Sequence, residues 1–345
     1  MNVRIVTSYT ELTALGGAWA ALADATGGSH YTQPFWCLAW WRHFGRGALH
    51  VAVAESRGRL VALAPLYRVR VAGVDRLRFL GSGLRPVSEI LVASGQESAA
   101  AQLWATLLSS SRSLIELQGY RQAGLGLRAL RQAEGRPWIA ELAGACPTIT
   151  LTGSLADYMG RRPSGLRRKL RKAQELSDQE AASLDVSVAT DPGGVDRRLR
   201  DATAVFDAAE TAAPRLHLLA DPYRDFTAEM LHAAAAQQRL ALFVLYVAER
   251  PAATAFALRS GTTWGYSGPR FDPALHRYSP GHLVLRAIVE HAYAAGADGV
   301  DLLSGDARYK REWSTGGYDL LTIYGASSPA LLGSRRALAL LREAR

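Results

Sequence analysis

The sequence predicts an α/β (α+β) fold of two similar halves, each a mixed, mostly antiparallel sheet flanked by helices. Three observations predict it. The chain has 345 residues, more than one ordinary domain and enough for two. Two stretches, AVAESRGRLVALAPLYR and LYVAERPAATAFALR, each alternate outward, turn at a charged residue and return through Ala and Leu to an Arg. The elements around those hairpins follow one order, βααβββαβαβ, on both sides of Pro147.

The elements follow from periodicity and turn chemistry. In the first half, Val3–Val6 reads as a strand, Glu11–Ala23 as a helix and Pro34–Phe44 as an aromatic helix. His50–Ala54 and Leu60–Val69 form the hairpin, turning at Arg57–Gly58, with a further strand near Leu77–Leu80. A helix over Gln96–Ser109, a strand over Leu114–Leu117 and a helix over Leu125–Ala133 complete this half. After Pro147, Ser154–Met159 starts a short helix and Arg161–Leu176 forms a basic one. Val186–Ala189 is a strand, followed by helices over Val195–Ala209 and Tyr223–Gln237. Leu242–Ala248 and Ala253–Arg259 pair through a turn at Arg250–Pro251, and Thr263–Ser267 adds a strand. Pro280–Ala295 is helical, Val300–Leu303 and Leu320–Tyr324 are strands, and Pro329–Leu341 is a closing helix. The expected domains are 1–150 and 151–345, the second including the basic connecting helix 161–176.

Composition narrows the function classes. Hydrophobic residues are 48% and charged residues 21% of the chain, which excludes a disordered protein. The formal charge of +9 fits an anionic partner such as a phosphorylated cofactor, a nucleic acid or a membrane surface. It fits equally an Arg-rich, Ala-rich composition that serves solubility. Two cysteines, Cys37 and Cys146, supply neither a disulfide framework nor zinc-ligand spacing. The eight histidines show no metal-ligand spacing with acids, so no metal is expected. No signal-peptide stretch opens the sequence and no segment is apolar enough for a membrane span, so the expectation is a soluble cytoplasmic protein. Neither a Gly-x-Ser-x-Gly elbow nor a Gly-x4-Gly-Lys-Ser/Thr loop is present.

The most informative stretch is YSGPRFDPALHRYSPGHLVLRAIVEHAYAAGADGVDLLSGDARYK, Tyr266–Lys310. Ser279 is placed to cap the helix that follows, Pro280 suits its first turn, and Gly281 removes bulk beside it. Leu283, Val284, Ile288 and Ala292 form its apolar stripe, and Gly296 ends it. Such a helix start offers backbone N–H groups and the positive end of the helix dipole to an anion. Arg277 just upstream can add a bidentate contact. The bland alternative is a well-capped helix without a ligand. A second stretch, Arg121-Gln-Ala-Gly124-Leu-Gly126, fits an Arg/Gln-x-x-Gly-x-Gly phosphate pattern better. Six-residue patterns with two glycines arise readily in a chain holding 32 of them, and this one is read as a turn.

FDPALHRYSPGHLVLRAIVEHAYAAGADGVDLLSGDARYKREW resembles the CelD-like branch of the GNAT superfamily. Ser279-Pro280-Gly281, the helix closed by Gly296, the strand with Asp301, Gly305-Asp306 and Tyr309-Lys310 carry the likeness. HYTQPFWCLAWWRHFG, LAPLYR and SGLRRKLRKAQ extend it over most of the chain. The resemblance implies tandem GNAT-like domains, a kinship with Fem aminoacyltransferases, and acyl transfer to an amine or hydroxyl. It places donor phosphates, those of acyl-CoA such as acetyl-CoA, at Arg277, Ser279, Gly281 and His282. The first half, where Gly81–Glu89 lacks a good helix start, is expected to have no donor site.

Chemistry is assigned to four residues. Asp301 and Asp306 can deprotonate or orient an acceptor amine, Tyr309 can protonate a thiolate, and Lys310 can bind phosphate or an oxyanion. The alternative for the two aspartates is strand-end and turn capping; for Lys310 and Trp313 it is a solvated lysine and a core aromatic. Tyr31, Trp36, Trp40 and Trp41 are read as packing between the halves in preference to a substrate platform. Arg161–Lys172 carries seven cations and no acid: a solvated face, or a surface for the phosphates of tRNA. Three functions follow. The first is acyl-CoA-dependent transfer to a small-molecule or saccharide acceptor. The others are aminoacyl-tRNA-dependent transfer of the Fem type and a non-catalytic GNAT-like binding module.

Overall fold

The computed structural model describes residues 2–84, 87–110, 113–132, 137–212, 215–329 and 332–333. The closing helix expected over Pro329–Leu341 lies almost wholly outside them. The chain divides into two compact units, Met1–Ala145 with the segment from Tyr318 onward, and Cys146–Gly317. The sequence reading gave everything after residue 150 to the second half. The structure differs because the last strand pairs antiparallel with the strand Leu114–Arg121 through Leu320–Gly325, which returns this segment to unit 1.

Unit 1 opens with β1 (Asn2–Val6), α1 (Tyr9–Ala14), α2 (Gly16–Thr26) and α3 (Pro34–Phe44). The single helix expected over Glu11–Ala23 is two, breaking at Leu15 before the Gly16-Gly17 pair. Strands β2 (Ala48–Leu49), β3 (Val51–Ser56), β4 (Arg59–Ala64), β5 (Leu66–Val71), β6 (Val74–Phe79) and β7 (Leu91–Val92) follow. Then come α4 (Glu97–Ser110), β8 (Leu114–Arg121), α5 (Leu125–Gln132) and β9 (Trp138–Thr150), a 13-residue strand the sequence reading missed. The hairpin turn stands at Arg57–Gly58 with both residues at positive φ, the twist that two-residue hairpins favour. Its return arm is broken by Pro65, so β4 pairs with β3 and β7 while β5 pairs with β2 and β6. Strand β6 reaches β8 in parallel through α4. Leu103, Trp104, Leu107 and Leu108 of α4 meet Ile115, Leu117 and Tyr120 in a buried core. Tyr31, Trp36 and Trp40 pack inside this unit, Trp36 edge-on to Tyr31 at 4.6 Å and Trp40 against Tyr67 at 5.1 Å.

Unit 2 begins with the end of β9, then α6 (Leu155–Gly160), α7 (Ser164–Glu180), β10 (Leu184–Ala189), α8 (Pro192–Ala212) and α9 (Arg224–Ala236). Strands β11 (Leu240–Val247), β12 (Arg250–Ser260) and β13 (Thr263–Phe271) lead through a 3₁₀ turn, Pro273–Tyr278, into α10 (Pro280–Ala294). Next are β14 (Gly299–Asp301), α11 (Arg308–Trp313) and β15 (Gly316–Gly325). Ser154 and Asp157 form a capping box at α6. The hairpin turn lies at Ala248–Glu249, both at positive φ, and not at Arg250–Pro251, because Val247 pairs with Arg250. The sheet order is β10-β11-β12-β13-β14-β9, with β13 and β14 parallel across α10.

The run LALFVLYV in β11 is buried on both faces, as a strand covered by helices on each side requires. Phe243 and Leu245 meet Leu285, Ile288 and Val289 of α10, while Phe256 stacks on Phe206 of α8. Both units therefore repeat β-α-α-β-β and end in a parallel β-α-β. Between Thr254 and Phe256 the β12–β13 register slips by one residue. Gly268 at φ +59 takes up the extra residue in β13, and a Cβ there would sit 2.8 Å from the Phe256 ring. This bulge re-aims Tyr266 and Arg270.

Candidate functional site

A cavity of about 420 Å³ opens in unit 2 at the start of α10. Its walls come from β13 and its bulge (Tyr266, Arg270, Phe271), the α10 start (Ser279, Gly281, His282), Lys169 of α7, Arg215 after α8 and Tyr309 of α11. No carboxylate is among its lining residues, so the cavity is cationic and aromatic.

The helix start is not built as a capped terminus. Ser279 is left-handed at φ +52, makes no side-chain capping bond, and accepts from the His282 and Leu283 N–H groups at its carbonyl, 2.9 and 3.2 Å. A left-handed serine is strained, a cost tolerated mostly at functional sites. Ser279 lines the cavity. Pro280 has no N–H to offer. That leaves the Gly281 N–H, without a backbone acceptor, as the donor at this start. A Cβ on Gly281 would meet only Phe271, at 3.6 Å, so the fold does not need glycine there and the space it leaves belongs to the cavity.

His282 is oriented by Trp313. The buried indole Nε1–H donates to Nδ1 at 3.0 Å, so neutral His282 carries its proton on Nε2. Burial, then the charge of Lys169, lowers its pKa, with Glu312 opposing from 3.9 Å. Protonating Nδ1 would also break the Trp313 bond. His282 is therefore a neutral donor, with no free nitrogen to act as a base. Lys169 reaches Glu312 at 2.9 Å.

Tyr309 and Tyr266 hydrogen-bond each other. Burial raises both pKa values, so both are protonated near neutrality; Arg215 and Arg270 act against this at Tyr309. Tyr266 is fully buried and must place its proton on a partner, so it donates to Tyr309. The Tyr309 O–H is then free to aim into the cavity. Arg270 donates to the Pro269 and Leu216 carbonyls at 2.8 and 2.7 Å and lies over the Phe206 ring at 5.0 Å.

The structure thus brings together Ser279, Gly281, His282 and Tyr309 of the residues singled out in the sequence. The other four stand elsewhere. Arg277 makes a bidentate pair with Glu180 at the end of α7, 2.6 and 2.7 Å, and does not line the cavity. Tyr278 reinforces that pair through its own bond to Glu180. Asp301 is buried and accepts the Leu303 N–H at 2.8 Å. Lys310 is buried and donates to the Leu303 and Ser304 carbonyls at 3.1 and 2.7 Å. Together they brace a turn in which Leu303 and Gly305 have positive φ. Asp306 is exposed and pairs with Arg311 at 2.7 Å.

Tyr266, Lys169, Arg215 and Arg270 were not assigned to the site by sequence reasoning. One signal was available: the Ser267-Gly268-Pro269 interruption inside a strand marks a bulge, and bulges cluster beside active sites.

Residues 161–311 match the acetyltransferase (GNAT) domain. Every lining residue of the cavity, from Lys169 to Tyr309, lies inside this span. Over nearly its full length the chain is similar in fold to FemX, with 10% identity, 92% of this chain and 97% of that one covered, and a TM-score of 0.65. It is also similar to L-PGS from Bacillus licheniformis (10% identity, 91% and 97% covered, TM-score 0.51). A third likeness is to a tandem GNAT protein from the clavulanic acid biosynthesis pathway (14% identity, 95% and 99% covered, TM-score 0.50). At these identities the likeness is one of fold. No curated protein sequence matches the chain. Among the described residues no helix is long and apolar enough to cross a membrane.

Proposed function

We propose that this protein transfers an acyl group from acyl-CoA to an amine or hydroxyl of a small-molecule or saccharide acceptor, in the cavity of unit 2. The observation that carries the reading is the uncapped, glycine-opened start of α10 facing Tyr309 inside the GNAT span. The site suits an anionic donor: Lys169 lines it beside the α10 start, and Gly281 leaves room that the fold itself does not use. Ser279, the Gly281 N–H, His282 Nε2–H and Lys169 would hold donor phosphates. When bound, acyl-CoA supplies an activated carbonyl and a thiolate in need of a proton. Tyr309 holds that proton and, as the phenolate left after giving it up, takes the one the acceptor sheds, with Tyr266 fixing its direction. His282 contributes a hydrogen bond and no base. The acceptor therefore enters as a neutral amine or a hydroxyl. Asp301 and Lys310 hold the turn that leads into α11 and so place Tyr309.

Calorimetric titration of the full chain with acetyl-CoA and CoA tests the donor. Micromolar binding weakened about tenfold by Gly281→Ala supports it; no binding at low or moderate salt overturns it. Binding without turnover of any amine or alcohol, unaffected by Tyr309→Phe, would make this a GNAT-like binding module.

A second reading, transfer from an aminoacyl-tRNA, has its own support. With Pro280 silent and Arg277 committed to Glu180, the α10 start is a sparse phosphate cradle. Arg167, Arg168 and Lys172 of α7 are exposed. Binding of charged tRNA that weakens steeply with salt, alongside no affinity for CoA, would favour it.

A further inference from the structure

The cations of the cavity fall into two groups with separate surroundings. His282 senses Lys169 and Glu312, and Lys169 is already paired with Glu312. Arg270 senses Arg215, Glu210, Tyr309 and Tyr266, none of them in the first group. Among the described residues no carboxylate forms an ion pair with Arg215 or Arg270. Glu210 acts on Arg270 through its charge without pairing with it, and one of its carboxylate oxygens accepts the Arg215 backbone N–H at 2.8 Å.

Placing two guanidinium groups beside each other in a half-enclosed, aromatic-walled cavity is unfavourable unless an anion completes the set. Arg270 is also held in place. Two backbone carbonyls and the Phe206 ring fix it, leaving the rest of its donor fork uncommitted. A planar, immobilised fork with a second arginine beside it is the geometry that recognises a compact oxyanion.

We infer that Arg215 and Arg270 bind an oxyanion on the acceptor, so that the acceptor is an amine or alcohol bearing a carboxylate or a phosphate. The inference rests on the acyl-transfer reading for the word acceptor, and on the arginine pair alone for the anion. The pair touches electrostatically the same Tyr309 that is proposed to hold the catalytic proton. The phosphates of acyl-CoA lie a pantetheine chain away from its thioester, which leaves an anion next to Tyr309 to the other substrate.

The test uses the full chain and three ring probes of similar shape, benzoate, phenyl phosphate and neutral benzamide, titrated with and without saturating CoA. At least one anion should bind ten or more times tighter than benzamide, and the tighter of the two identifies carboxylate or phosphate as the group. Arg270→Gln and Arg215→Gln should each bring that anion to the affinity of benzamide, while benzamide and CoA are bound as before. Arg215 is exposed, so its variant keeps the test open should Arg270→Gln misfold. Equal affinity for benzamide, an anion preference that survives both substitutions, or displacement of the anion by CoA would each overturn the inference. Failure of CoA to bind, with the arginine-dependent preference intact, would sink the acyl-CoA reading and leave the anion site standing.

Discussion

Each unit contains a parallel β-α-β, β6-α4-β8 in the first and β13-α10-β14 in the second, and the two connections have opposite outcomes. In unit 2 the link is a short 3₁₀ turn, and α10 starts beside an open cavity. In unit 1 the link runs from Leu80 to Gln96, inserts β7 against β4 and buries Val87, Ile90 and Leu91. It also buries Glu89, which stands 3.6 Å from Arg121. A Cβ on Gly124 would fall 2.4 Å from the Glu89 carboxylate, and one on Gly126 would fall 2.4 Å from the Tyr120 hydroxyl. The glycines of Arg121–Gly126, the better textual match to a phosphate loop, thus make room for the protein's own side chains. Gly281 leaves open space at the cavity, where a Cβ would meet only Phe271. A glycine signals a close approach, and only its neighbours reveal whether the protein or a ligand makes it.

The sharpest way to break this comparison is Gly124→Ala against Gly281→Ala. The first should cost about 3 kcal/mol of stability, since it must displace a buried carboxylate. The second should leave stability within a few tenths of a kcal/mol, while lowering donor affinity. Chemical denaturation of both variants checks this, and equal losses would end the distinction. Next in size, Tyr309→Phe should lower kcat about 100-fold with the unfolding midpoint little changed. Lys310→Met should do the reverse, losing about 2 kcal/mol of stability through the Leu303 and Ser304 carbonyls it abandons. A Lys310 variant that folds normally but is inactive would restore the lysine to catalysis.

A pH effect separates the units further. Burial raises Glu89 from 4.5 to about 7, with Arg121 opposing the shift. The folded state then holds this proton more tightly than the unfolded state. The stability Glu89 contributes is complete below about pH 4.5 and is lost as the pH rises through about 7. Glu89→Gln should flatten that decline, making the variant the more stable form at pH 8 by about 2 kcal/mol. Urea midpoints at pH 5 and pH 8 measure it. The smallest effect is expected from Ser279→Gly. It relieves a left-handed serine worth about 1 kcal/mol and removes a hydroxyl from the cavity. Greater stability with weaker donor binding is the expected pair of results.

The amino-acid sequence by itself determined the order of elements and their repetition, because apolar period and turn chemistry are local. α3, α10 and the paired arms of both hairpins were legible this way, and so was the α10 start as the place to look. Long-range pairing was not legible. β9 lacks a clean alternation and is a strand because β14 and β15 flank it, and the last strand joins unit 1 because β8 pairs with it. The site divided along the same line. Ser279, Gly281, His282 and Tyr309, singled out from their motif, line one cavity, while Arg277, Asp301, Asp306 and Lys310 are held by partners distant in sequence or across a turn. Glu180 lies 97 residues from Arg277. Arg215 and Arg270 come together only when the chain after α8 meets the bulge of β13. Motifs place groups along the chain, but the charge a cavity carries depends on which groups the fold leaves without a partner.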